Sequence, residues 1–75
     1  MKIEILGNGC ASCKALEENA KKAVAKAGVK AQILKVTQME KIIAYGIMST
    51  PAIVIAGKVK ASGRVPDAEE IIKWL

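Results

Sequence analysis

The 75-residue chain is slightly more than half hydrophobic and carries a formal charge of +5. That length suffices for one domain, 1–75, with a small core, and the apolar content excludes a disordered tail. No apolar run approaches the ~20 residues of a membrane span. Met1-Lys2-Ile3-Glu4-Ile5-Leu6 is too short and too charged for an export signal, so a reducing cytoplasm is the expected compartment.

Residues 2–6 read as a short apolar strand closed by the turn residues Gly7-Asn8-Gly9. A helix is expected from about Cys10 to Ala27, because Cys13, Leu16, Ala20, Val24 and Ala27 step by three and four along one stripe. Gly28 is placed to stop it. Val29 to Val36 reads as a second strand, and Thr37 with Glu40 as a capping box for a short helix, Gln38 to Tyr45, ended by Gly46. Ala52-Ile53-Val54-Ile55-Ala56 is an unbroken apolar strand, which implies burial on both faces. Gly57-Lys58 turns it into a shorter strand, Val59 to Ala61. Pro66 suits the first turn of a last helix with Asp67 and Glu69 at its positive end and Ile71, Ile72, Trp74 and Leu75 on its core face. The expected architecture is α/β, in the order β-α-β-α-β-β-α: a four-stranded mixed sheet flanked by three helices, its first two strands parallel and its last two antiparallel.

The lysines are scattered, and Glu17 with Lys21 and Glu18 with Lys22 stand at i,i+4. Tyr45 and Trp74 are the only aromatic side chains and lie far apart in sequence. The charge therefore reads as a solvated surface, with neither nucleic acid nor membrane as partner. A monomer is expected.

Chemistry concentrates in Cys10-Ala11-Ser12-Cys13. Two cysteines and no histidine cannot close a four-ligand zinc site, so no metal or other cofactor is expected. A disulfide between residues three apart removes little entropy from the unfolded chain, which makes it a poor staple. Cys10 falls where a glycine-rich turn meets a helix start, and free N–H groups with the helix dipole stabilise a thiolate there. Cys13 is one turn deeper, at a Cα separation of ~5–6 Å that suits a disulfide. Cys10 is thus the candidate attacking thiol and Cys13 the resolving one. The alternative is a pair of ordinary small core residues, which fits Cys13 better than Cys10.

The Cys10–Cys13 pair followed by Lys14, together with Gly46-Ile47-Met48-Ser49-Thr50-Pro51-Ala52-Ile53-Val54-Ile55 some forty residues on, resembles the thioredoxin/glutaredoxin superfamily over the whole chain. Closest in kind are the small archaeal and bacterial thioredoxin-like redox proteins. The resemblance implies a thioredoxin fold and a thiol–disulfide oxidoreductase. It also implies protein disulfides as substrates and a thioredoxin-reductase-like or other thiol reductant as partner. It further implies a cis bond before Pro51, a Thr50 backbone that pairs with an extended substrate, and Gly9 at the substrate-facing position where thioredoxins carry Trp. Glu4, six residues before Cys10, aligns without a gap with the acid that relays protons to the second cysteine, but it is Glu and not Asp and shares its strand side with Lys2, which favours a solvated carboxylate. Ala11 and Ser12 match neither subfamily's usual dipeptide, and no residues match those with which glutaredoxins hold glutathione.

Two other readings use the same residues. Gly9-Cys10-Ala11-Ser12-Cys13 also resembles copper-chaperone domains, in which two thiolates hold a soft cation such as Cu(I). Those domains typically have Met where this chain has Asn8, and they end on a strand where Pro66–Leu75 reads as a helix. The other is an interaction module on the same fold with incidental cysteines.

Overall fold

A computed structural model describes residues 1–7, 11–47 and 49–75. The expected Gly9 and Cys10 site positions lie outside the described residues. The elements are β1 (Lys2–Leu6), α1 (Ala11–Ala27), β2 (Gln32–Val36), α2 (Met39–Ala44), β3 (Ala52–Ile55), β4 (Lys58–Ser62) and α3 (Ala68–Ile72). They form one four-stranded sheet in the order β2-β1-β3-β4. β1 pairs parallel to β2 and antiparallel to β3, and β3 pairs antiparallel to β4. This is the mixed α/β sheet expected from the order of elements, and it is consistent with the thioredoxin fold.

The side-chain period of two divides the core into two layers. Ile3 and Ile5 of β1 and Ile53 and Ile55 of β3 pack with Leu16, Ala20 and Ala23 of α1 and Ile71 of α3. On the other face, Leu6, Ala52 and Val54 pack with Ile42 of α2 and Ile47. All four residues of β3 are buried, as an unbroken apolar run between two helical layers requires. Val24, Ile72, Trp74 and Leu75 are partly buried against the first layer, so Trp74 is a core anchor.

Boundaries differ from the sequence reading where tertiary pairing overrides local propensity. β2 begins at Gln32, not Val29, because β1 offers its first partner at Lys2, and the Gln32 amide donates to the Met1 carbonyl at 2.9 Å. The buried stripe of α1 runs Cys13, Leu16, Ala20, Ala23, and Ala27 is exposed. α2 starts one residue later than a Thr37 capping box would place it. Its N-cap is Gln38, with no side-chain cap hydrogen bond. The hairpin turn is Ala56-Gly57, both at positive φ (53° and 81°), and β4 is correspondingly longer at both ends. Two successive positive φ values are what a two-residue turn needs to match strand twist. Pro66 precedes the α3 N-cap instead of opening the helix. Asp67 caps it by accepting from the Glu70 amide at 2.8 Å.

Candidate active site

The site is assembled at one end of the sheet, where β1 ends, α1 begins and the chain returns to enter β3. Cys13 lies in the first turn of α1 and is 5% exposed. Its sulfur faces Gly7, the residue after β1. Gly7 follows Ile3 and Ile5 in the two-residue alternation and therefore presents its missing side chain to the α1 layer. A Cβ built there would overlap the Cys13 sulfur and lie 3.2 Å from the Cys13 Cβ. The Gly7 amide donates to the Val36 carbonyl at 3.0 Å, which extends the β1–β2 ladder, and its φ is not among the positive ones. Gly7 thus closes β1, as its place in the Gly7-Asn8-Gly9 sequence leads one to expect, and it is also glycine for space, leaving room for the Cys13 sulfur.

The second approach to Gly7 comes from Thr50, whose Cβ would make ordinary contact, 3.9 Å, with a Cβ at Gly7. Thr50 is exposed and Pro51 is buried, and the peptide bond between them is cis. The Pro51 carbonyl accepts from the Gly63 amide at 2.9 Å, which fixes this segment to the end of β4. Cys13 and the Thr50–Pro51 step, about forty residues apart in sequence, therefore flank the same glycine.

Glu4 lies elsewhere. It pairs in register with Val54, which belongs to the α2 layer, so its side chain is on the sheet face opposite α1. It is 14% exposed, accepts a hydrogen bond from the Tyr45 hydroxyl and stands 3.7 Å from the Lys2 ammonium. The bond to Glu4, followed by desolvation and the carboxylate's charge, raises the Tyr45 phenol above its ordinary pKa.

On the α1 face, a cleft of about 50 Å³ adjoins Cys13, lined by Ile5, Gly7, Lys14, Glu17, Lys35 and Thr37. Glu17 is one helical turn beyond Cys13, and its side chain is 13% exposed. Its carboxylate oxygens stand 3.4 Å from the Lys35 Nζ and 3.9 Å from the Lys21 Nζ. In the sequence Glu17 is legible as the helical partner of Lys21. Its i,i+4 relation to Cys13 was the available signal. Lys35 was not legible as a site residue, because its approach depends on the Ile5–Lys35 register between β1 and β2. Among the described residues no group of three or more metal-ligating side chains comes together. No described helix is long and apolar enough to cross a membrane.

Comparison with known proteins agrees with this geometry. A family model described as a thioredoxin domain matches residues 1–75. A thioredoxin of Methanothermobacter thermautotrophicus is 43% identical over all of this chain and 97% of its own length. A thioredoxin of Methanocaldococcus jannaschii is 38% identical over 92% of this chain and 79% of its own. Such kinship supports a thiol–disulfide oxidoreductase function. With a buried cysteine at the start of α1 flanked by the Thr50–Pro51 step, and with full-length matches of this kind, the chain belongs to the thioredoxin superfamily.

Proposed function

We propose that the protein is a dithiol protein-disulfide reductase or electron carrier in which Cys10 attacks and Cys13 resolves. The observation that carries this reading is the seating of Cys13: a buried sulfur at the first turn of a helix, facing a side-chain-free residue and flanked by Thr50. Cys10 stands three residues earlier in sequence. The Cys10 thiolate attacks a sulfur of the substrate disulfide, forming a mixed disulfide and releasing one substrate thiol. Cys13 then attacks the Cys10 sulfur, the internal disulfide forms, and the second substrate sulfur leaves. Two electrons and two protons pass from the dithiol to the substrate, and a thiol reductant, thioredoxin-reductase-like or otherwise, restores the pair. An extended substrate strand pairs with the backbone of the exposed Thr50 beside Pro51, and Gly9 is assigned to the same substrate-binding role from its place before Cys10 in the sequence. The reaction suits a reducing, cytoplasmic setting.

The test is stoichiometric. Reduced protein mixed with a chromogenic aryl disulfide should release the aryl thiolate in two phases, one from each cysteine, and end as an intramolecular disulfide. One phase only, or thiols that do not react, contradicts the reading. So does tight Cu(I) binding without disulfide reduction.

A further inference from the structure

We propose that Glu17 takes the proton from the Cys13 thiol as Cys13 resolves the mixed disulfide; this rests on the oxidoreductase reading above and adds an acid–base group to it. The i,i+4 spacing puts Cys13 and Glu17 on one face of α1, and both line the same cleft. The β1 segment lines that cleft with Ile5 and Gly7, and the β2 segment with Lys35 and Thr37. At about 50 Å³ it exceeds the space a water needs, and Glu17, Lys35 and Thr37 supply hydrogen-bonding partners for one. A proton can therefore pass from sulfur to carboxylate through a single water.

An enclosed carboxylate beside a thiol ordinarily opposes ionisation of that thiol by like-charge repulsion. Here Lys35 and Lys21, both largely exposed, stand against the Glu17 oxygens and offset that charge. Among the described residues, the charged groups lining the cleft are Lys14 and Glu17 from α1 and Lys35 from β2, with Lys21 of α1 standing beside Glu17; the β1 segment contributes Ile5 and Gly7. Glu4 is on the opposite face, engaged by Tyr45 and Lys2. The thiol of Cys10 lies outside the described residues.

In the resolving step the Cys13 sulfur bonds to the Cys10 sulfur and the bond from Cys10 to the substrate sulfur breaks. That sulfur leaves with the electron pair, and the Cys13 proton moves to Glu17. Glu17 returns the proton to solvent or to the departing thiolate, so no other reactant is required.

The experiment follows both phases of aryl thiolate release against pH in the wild type, Glu17→Gln, Glu17→Asp and Glu4→Gln. The ratio of second-phase to first-phase rate is the readout, because loss of folded protein lowers both amplitudes without changing it. Glu17→Gln should reduce the ratio about tenfold near pH 6 and converge with the wild type above the ordinary thiol range of about 8.5. Glu17→Asp should recover part of the loss. A ratio in Glu17→Gln equal to or above the wild-type value throughout would overturn the proposal, as would a low-pH loss found in Glu4→Gln instead. A wild type lacking the second phase removes the oxidoreductase reading itself, and this inference with it.

Discussion

The Cys13 sulfur occupies the volume that a side chain at residue 7 would take: a Cβ on Gly7 would overlap it. The end of β1 is thereby coupled to the start of α1 through a single missing methyl group. Because Gly7 is not held at a positive φ, its replacement is opposed by packing alone. Gly7→Ala should cost about 1–3 kcal/mol, the usual range for overpacking a tight site, and should slow the second phase of disulfide reduction. Removing the sulfur should relieve the clash. In a double-mutant cycle with Cys13→Ala, chemical denaturation should show the paired variant more stable than the sum of the single changes by about 1 kcal/mol or more. Additive effects would mean that the two residues do not share this volume.

Tyr45 is the only tyrosine of the chain and donates to Glu4, so its ionisation can be followed in isolation. Its phenol should titrate above the ordinary value of 10.0, because the bond to Glu4, desolvation and the carboxylate's charge all favour the protonated form. The folded pKa is raised, so the linked stability is fully present below the unfolded value and is lost as pH rises through the folded one. Absorbance titration of the phenolate checks the pKa, and Tyr45→Phe should remove the associated loss of stability at high pH. A phenol titrating at its ordinary value would exclude the bond.

Ala56 holds φ 53° in the β3–β4 turn, a region that costs an L-residue about 1–2 kcal/mol. Gly57 already fits the second turn position, and Asn-Gly is the preferred pair for such turns. Ala56→Asn should therefore stabilise the protein by about 0.5–1 kcal/mol, which for a domain of this size raises Tm by a few degrees. Thermal unfolding followed by circular dichroism reads the shift. An unchanged or lower Tm would mean that the turn is not limited by its backbone.

Apolar pattern and glycine position made the element order, the two-sided burial of β3 and the parallel and antiparallel pairings legible in the sequence. What escaped depends on register. Val29–Ala31 has strand composition but no partner beyond Lys2, and the capping pattern at Thr37 is displaced to Gln38. At the site, Cys13, Thr50 and Pro51 were legible from their motifs. Gly7 ends its strand as a glycine before Asn-Gly suggests, but only the alternation set by Ile3 and Ile5 reveals it as space for a sulfur. Lys35 reaches Glu17 through a β1–β2 register that composition does not encode.

The division of labour between the two cysteines is tested most directly by Cys13→Ser and Cys10→Ser, each mixed in reduced form with a protein disulfide and then acid-quenched. Cys13→Ser should accumulate a stable mixed disulfide through Cys10, releasing one substrate thiol and no more, whereas Cys10→Ser should react slowly or not at all. If Cys10→Ser forms the adduct as fast as Cys13→Ser, or if Cys13→Ser turns over without accumulating it, the assignment of Cys10 as nucleophile and Cys13 as resolving thiol is contradicted.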